Sequence, residues 1–200
     1  MLLYDSPISG NCYKARLLLA HLGIDYERRE VDVVDRSDRR EFLAELNPAR
    51  GVPTLVLDDG RALGESNAIL WYLGEGSQFD PDDRFDRAKV QQWLSFEQAQ
   101  IESSIGTARF LITYSGWPRE RYEPRLKEYW SRGRRALAAL DASLDGREWV
   151  VRDAPTLADL SLYAYTHAAG EAELDLEPHA NVRRWLAGVA AMPGHVPMRD

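Results

Sequence analysis

The chain reads as a small α/β domain followed by a larger all-helical one. Three observations lead there. The first 75 or so residues alternate between short apolar runs and amphipathic stretches, a strand–helix order. The segment Gly74-Glu75-Gly76-Ser77-Gln78-Phe79-Asp80-Pro81 has the glycine, serine and proline content of a linker. Beyond it no strand pattern returns, and apolar residues recur at helical spacing. The boundaries that follow are a domain over 1–76, a linker over 77–84 and an all-helical domain over 85–200.

Met1-Leu2-Leu3-Tyr4 predicts a first strand, followed by a loop carrying Pro7 and Gly10. Residues 11–22 predict a helix with Ala15, Leu17, Leu18, Leu19 and Leu22 on its apolar side, ended by Gly23, a residue suited to the left-handed C-cap. Tyr26 to Val34 alternates enough for a second strand, and 41–46 predicts a short helix closed by Asn47-Pro48. Thr54 to Leu57 and Arg61 to Leu63 predict two strands around Asp58-Asp59-Gly60, a strong hairpin signal. A helix follows from Ser66 to about Leu73. This βαβ then ββα order requires a parallel crossover in its first half.

In the second part, Val90, Leu94, Ile101, Ile105, Ala108 and Ile112 predict one long helix, with Glu97 on the same otherwise apolar register. A second long helix covers about 121–144. A third starts at Ala154-Pro155-Thr156-Leu157-Ala158-Asp159, where Thr156 and Asp159 have capping-box spacing. A fourth covers about 179–191.

Composition narrows the function. Of 200 residues, 44% are apolar and 28% charged, as in ordinary globular chains. No stretch approaches the roughly eighteen apolar residues of a membrane helix, and MLLYDSPISG lacks the basic start and apolar run of a secretory signal. A net charge of −7 argues against nucleic acid as the main partner. Seven basic residues against three acidic ones between Arg119 and Arg135 read as a solvated helix face. A single cysteine, Cys12, excludes a disulfide within the chain and a cysteine-based zinc site, and four scattered histidines suggest no metal. The expectation is a reduced, cytoplasmic protein without a metal.

Ser9-Gly10-Asn11-Cys12-Tyr13-Lys14 lies where the first strand turns into the first helix. Such a turn points unpaired N–H groups and the positive end of the helix dipole at its mouth, so Ser9 and Asn11 either cap the helix or hold an anion such as a thiolate. Cys12 in the first turn is either an activated thiol or a small buried side chain. Val52-Pro53 precedes a strand, a place that tolerates a residue unable to donate to the ladder. Glu65-Ser66 opens a helix. As more than a cap, the pair would hold an amino-acid zwitterion, Ser66 at the carboxylate and Glu65 at the ammonium.

Taken together, these motifs resemble the glutathione transferase family, and the resemblance spans nearly the whole chain. It implies a thioredoxin-like βαβαββα domain followed by an all-α domain. Val52-Pro53 is similar to that family's cis-proline turn, Glu65-Ser66 to its γ-glutamyl-binding pair, and the 154–159 segment to its helical-domain capping motif. The active-site turn resembles most closely the nu-like bacterial members, with Ser9, Asn11 and Lys14 on their threonine, asparagine and lysine; serine for threonine and Gly10 for proline leave the loop less rigid. Cys12 sits one residue past the cysteine of beta-like members and does not inherit its role.

By resemblance, then, glutathione is the co-substrate and no metal is involved. Ser9 and Asn11 are the catalytic candidates. Asn11, Val52, Pro53, Glu65 and Ser66 bind the tripeptide, with Arg50, Arg39 or Arg40 for its glycyl carboxylate. Glu97 belongs to the same set, as an acid near a neighbouring subunit's ammonium in a homodimer or, alternatively, paired internally with an arginine such as Arg109. Phe110, Tyr114 and Trp117 would line an interdomain pocket for a small hydrophobic electrophile or disulfide. The activity implied is conjugation, or reduction of disulfides and peroxides by glutathione; the alternative is a weakly catalytic binding or assembly module.

Overall fold

A computed structural model describes residues 1–36 and 39–199 and divides the chain into two compact units. The first contains Met1–Ser77 together with the C-terminal segment from Pro193; the second is Gln78–Met192.

In the first unit the strands β1 (Leu2–Asp5), β2 (Glu27–Glu30), β3 (Thr54–Val56) and β4 (Ala62–Leu63) form one sheet in the order β2-β1-β3-β4. β1 and β2 are parallel, while β1/β3 and β3/β4 are antiparallel. The helices are α1 (Gly10–Leu22), α2 (Arg39–Leu43) and α3 (Ser66–Gly74). The period-2 alternation of β1 and β3 sorts the core into two layers. Leu3 and Leu55 pack with Ala15 and Leu19 of α1 and Ile69 of α3, all with no exposed surface. Tyr4, with Leu2 and Val56, faces the other way against Val31 and Leu43. Each fully buried leucine contributes about 1.5–3 kcal/mol. Gly23 ends α1 at φ 63°, its N–H on Ala20 O while Ile24 N–H reaches Leu19 O. That is the left-handed cap expected of a glycine there.

β2 is shorter than predicted. Asp32 accepts from the N–H groups of Val34 (2.6 Å) and Asp35 (3.1 Å), so an Asx turn takes the backbone out of the ladder after Glu30. What remains is an exposed Glu-Arg-Arg-Glu edge, a composition that discourages further strand pairing.

The boundary reading requires correction at the C-terminus. The segment from Pro193 packs on α1 instead of joining the helical unit. Tyr13 Oη donates to Val196 O at 2.7 Å, His21 Nδ1 donates to Pro193 O at 2.8 Å, and Arg16 Nη2 donates to Met198 O. These contacts are invisible to periodicity because the segment has no regular structure of its own.

The second unit is helical throughout. Its long helix, α4, runs Arg84–Phe96 and continues through Glu97–Gly106, Thr107–Arg109 and Phe110–Tyr114 without leaving helical dihedrals. The stretches Glu97–Gly106 and Phe110–Tyr114 are wound in wide turns, with Ser115 N–H reaching back five residues to Phe110 O at 3.0 Å. Serine hydroxyls inside this helix bond back to carbonyls four residues earlier, Ser103 to Ala99 O at 2.6 Å and Ser115 to Leu111 O at 2.7 Å, competing with the backbone ladder. A Cβ at Gly106 would stand 2.9 Å from the Tyr165 ring, so only glycine allows this approach. The remaining helices are α5 (Arg119–Ser143), α6 (Leu157–Thr166) and α7 (Ala180–Ala190). Among the described residues no helix is long and apolar enough to cross a membrane.

Every residue of α6 is buried, and its entry is organised by Asp159. That carboxylate, with no exposed surface, accepts from Thr156 N–H (2.8 Å), Thr156 Oγ1 (3.0 Å), Val150 N–H (3.1 Å) and Trp185 Nε1 (3.0 Å). Burial pushes its pKa up; the four donors pull the other way. The capping-box spacing found the Thr156 bonds, whereas those from Val150 and Trp185 arise only on folding.

Two outcomes follow for stability. Asp159→Ala orphans four buried donors and should cost about 3 kcal/mol or more in urea unfolding, with Asp159→Asn, which keeps one acceptor oxygen, in between. His21 and His195 both titrate below the ordinary 6.5, chiefly because burial disfavours the cation. Their unfolded forms therefore bind protons first. The stability they lend is present above about pH 6.5 and is lost as pH falls through the lower folded values. Amide exchange in 193–199 should accelerate relative to the α6 core between pH 7.5 and 5.5.

Candidate active site

Topology brings one end of the first unit's sheet to a focus. β1 delivers the chain there into α1, and Tyr4 pairs with Thr54, so Val52 and Pro53 lie beside the exit of β1. β4 runs back to the same end and feeds α3. The N-termini of α1 and α3 thus open together.

The turn before α1 is anchored from beneath. Asp5, with no exposed surface, receives Arg16 Nη1 on both oxygens at 2.7 and 2.8 Å and is also paired with Arg28; Arg16 donates further to Ser6 O at 3.2 Å. Ser9 follows as N-cap, its Oγ accepting from Cys12 N–H at 3.3 Å. Accepting that bond leaves the hydroxyl proton available to a ligand at the mouth of the helix. Asn11 is half-buried, and Ser66 Oγ donates to its Oδ1 at 3.1 Å. This bond joins the two helix starts. Lys14, fully buried in α1, donates to Ser66 Oγ and to Asn67 Oδ1, both at 3.4 Å.

The approach to β3 is tied by Asn47, whose role the sequence reading missed. Its amide donates to Thr54 Oγ1 (2.9 Å) and Gly51 O (3.3 Å), while its oxygen accepts from Ala49 N–H (3.0 Å). A Cβ on Gly64 would come within 2.8 Å of that amide. The Val52–Pro53 bond is cis, as the resemblance implied. Val52 is half-buried, and its N–H and C=O take part in no hydrogen bond among the described residues. Glu65 is exposed and held at φ 64°, ψ 112°, left-handed territory for a residue with a Cβ, and its side chain makes no cap bond. Strain of this kind costs about 1–3 kcal/mol and collects at functional sites. Arg50 and Arg40 are exposed and Arg39 is half-buried.

Cys12 is fully buried; burial, reinforced by Asp5, pushes its thiol far above the ordinary range. It belongs to the core. Beside the turn, Pro7, Ile8, Val31, Val33 and Val34, together with Ser6 and the acids Glu30 and Asp32, line an open hollow of about 460 Å³. The sequence places its candidate apolar lining elsewhere, near the end of the first long helix.

In the helical unit, Glu97 has no exposed surface and accepts from Ser161 Oγ at 3.4 Å, an interior position in keeping with the internal one of its two expected roles. Arg109 pairs with Glu171 at 2.9 Å. Tyr114 is drawn into the same network: its hydroxyl accepts from Arg109 at 2.9 Å and donates to Glu171 at 3.2 Å. Trp117 is 43% exposed with the Arg121 guanidinium 3.9 Å from its ring centre, and Phe110 is half-buried. No cluster of three or more His, Cys, Asp or Glu side chains among the described residues could hold a metal ion.

Residues 8–75 match the model of the glutathione S-transferase N-terminal domain, and residues 106–193 that of the glutathione S-transferase C-terminal domain. A glutathione S-transferase from Pseudomonas fluorescens Pf-5 superposes with a TM-score of 0.95 at 39% identity, over 100% of this chain and 98% of that one. A glutathione transferase from Burkholderia graminis, solved with two glutathione molecules bound per subunit, has a TM-score of 0.83 at 30% identity over 96% and 84%. Glutathione S-transferase D7 of Anopheles gambiae is 29% identical over 189 residues, covering 92% of this chain and 83% of that one.

The placement of Cys12 makes a direct prediction. Alkylation of the native protein by iodoacetamide should be at least about a hundredfold slower than of the urea-unfolded chain, because both burial and the scarcity of thiolate oppose it.

Proposed function

The chain belongs to the glutathione S-transferase family, and from that membership and the geometry above we propose that it binds glutathione, keeps the bound thiol ionised and directs the thiolate at an electrophilic carbon or at a disulfide. The observation that carries the reading is the 3.1 Å bond between Ser66 and Asn11, which sets the start of α3 against the start of α1. One helix start receives the γ-glutamyl end and the other receives the sulfur.

Elementary energetics make the site sufficient. A free cysteine-type thiol has a pKa of about 8.5, and lowering it by about two units requires about 2.7 kcal/mol of preference for the anion. A hydrogen bond to a charged group contributes about 1.5–3 kcal/mol, and a helix N-terminus up to about 2 kcal/mol in a partly buried setting. Ser9 Oγ and the Asn11 amide supply the first, α1 the second. No general base is needed; the proton leaves to solvent.

The rest of the tripeptide follows by chemistry. Val52 offers N–H and C=O to the backbone of the cysteinyl residue as a short strand addition. Glu65 takes the ammonium, and the backbone N–H groups that open α3 at Ser66 take the α-carboxylate, the Ser66 hydroxyl proton being given to Asn11. The hollow whose apolar wall is Pro7, Ile8, Val33 and Val34, with Glu30 and Asp32 on its rim, suits the second substrate.

Two glutathione molecules in the Burkholderia relative favour the reductive branch as a second reading. One thiolate opens the substrate disulfide and releases one thiol. A second glutathione then attacks the mixed disulfide, giving glutathione disulfide and the second thiol. Cys12 is not required in that cycle, consistent with its burial.

Ser9→Ala and Asn11→Ala should be assayed against wild type with a chloronitrobenzene-type electrophile and with a small disulfide. Ser9→Ala should lose at least about tenfold in turnover at neutral pH, about 1.4 kcal/mol, and recover part of it in alkali, where free glutathione ionises unaided. Full activity in both variants, or crippling by Cys12→Ala alone, would overturn the assignment. Binding of glutathione without turnover of any substrate would instead favour a binding module.

A further inference from the structure

Lys14 is a cationic side chain with no exposed surface, placed beneath the proposed site and not in it. Its hydrogen bonds have a forced direction. An ammonium only donates, so in the Lys14–Ser66 contact at 3.4 Å the serine oxygen is the acceptor. A hydroxyl has one proton, and Ser66 gives it to Asn11 Oδ1 at 3.1 Å. An amide whose oxygen is engaged presents its NH₂ from the other branch of the side chain. The second contact of Lys14, with Asn67 Oδ1 at 3.4 Å, fixes the ammonium between the first residues of α3.

We infer that Lys14 is a positioning residue for catalysis: through Ser66 it orients the Asn11 amide so that its N–H donors, and not its oxygen, face the glutathione sulfur. The inference rests on the proposal above that Asn11 donates to the thiolate, and it adds the device that keeps that amide from turning over. An inverted Asn11 would set a carbonyl oxygen against the sulfur and oppose ionisation, so the direction of a chain of neutral groups is decided by one buried cation. Lys14 has no exposed surface with which to meet a ligand, which separates it from the half-buried Ser9 and Asn11.

The test is a double-mutant cycle read on the ionisation of bound glutathione, followed by the ultraviolet absorbance of the thiolate against pH at saturating glutathione. Asn11→Ala should raise the midpoint by about one pH unit, a tenfold change in the ionisation constant. Lys14→Met should raise it by a similar amount, and the double variant should sit no higher than either single one. A purely structural role would leave the midpoint in place and show only in melting temperature or glutathione affinity. A wild-type midpoint in Lys14→Met while Asn11→Ala is shifted would overturn the inference and leave the role of Asn11 intact. Additive shifts in the double variant would also overturn it, because Lys14 would then act on the sulfur independently. No shift in Asn11→Ala would remove both the reading of Asn11 and the inference built on it. Should Lys14→Met fail to fold, Ser66→Ala interrupts the same chain at its middle. Its shift should likewise vanish in the Asn11→Ala background, and an unshifted midpoint would overturn the relay.

Discussion

The first unit's site depends on a carboxylate that never meets water. Asp5 closes β1, and by engaging Arg16 one helical turn and a half into α1 it locks the strand and helix on either side of the Ser9 turn. Arg28 of the neighbouring strand β2 completes its neutralisation. An ion pair in the interior is a weak source of net stability, since desolvation offsets most of the attraction, but removing one partner is expensive because it strands the other charge. Such a cluster therefore acts chiefly as a locator. It tolerates one arrangement of the turn, and the opening of α1 inherits its precision.

Polar groups in the second unit follow the same logic. Asp159 of α6 gathers donors from its N-cap Thr156, from Val150 in the segment before it and from Trp185 of α7, while Asp141 of α5 accepts from the first N–H groups of α7 at 2.9 and 3.0 Å. In both places one carboxylate caps a helix and ties it to another element. Helix N-termini must find acceptors for orphan N–H groups in any case. Supplying them from a different element converts that local requirement into tertiary order. Lys14 shows the converse arrangement, a buried donor serving the opening of α3.

Much of this was legible in the residues, and the failures have physical causes. Strand and helix periods located β1, α1, β3, α3 and the four long helices because each buries one face, or all of itself, against a single layer. Gly23 and the Thr156–Asp159 pair marked their helix ends because a cap depends on a few adjacent residues. β2 was overextended because Asp32 turns the chain through a side chain–backbone bond that alternation cannot register. In the site, Ser9, Asn11, Val52 and Ser66 were readable from their positions at element starts. Asn47, Gly64 and the hollow at Val33 and Val34 were not, since their meaning lies in who sits opposite. For Glu97 the stripe leaves a neighbouring subunit and an internal partner both open; it signals that a buried acid needs a partner and does not name Ser161.

The segment after Met192 gives the first unit a discontinuous sequence: Tyr13, Arg16 and His21 wait for partners that lie beyond the whole helical unit. On a ribosome the helical unit emerges complete while α1 still lacks that cover. Consolidation of the first unit therefore follows synthesis of the helical unit, although its strands precede that unit, and the nascent chain carries an unfinished surface along α1 until the stretch after Met192 has left the exit tunnel.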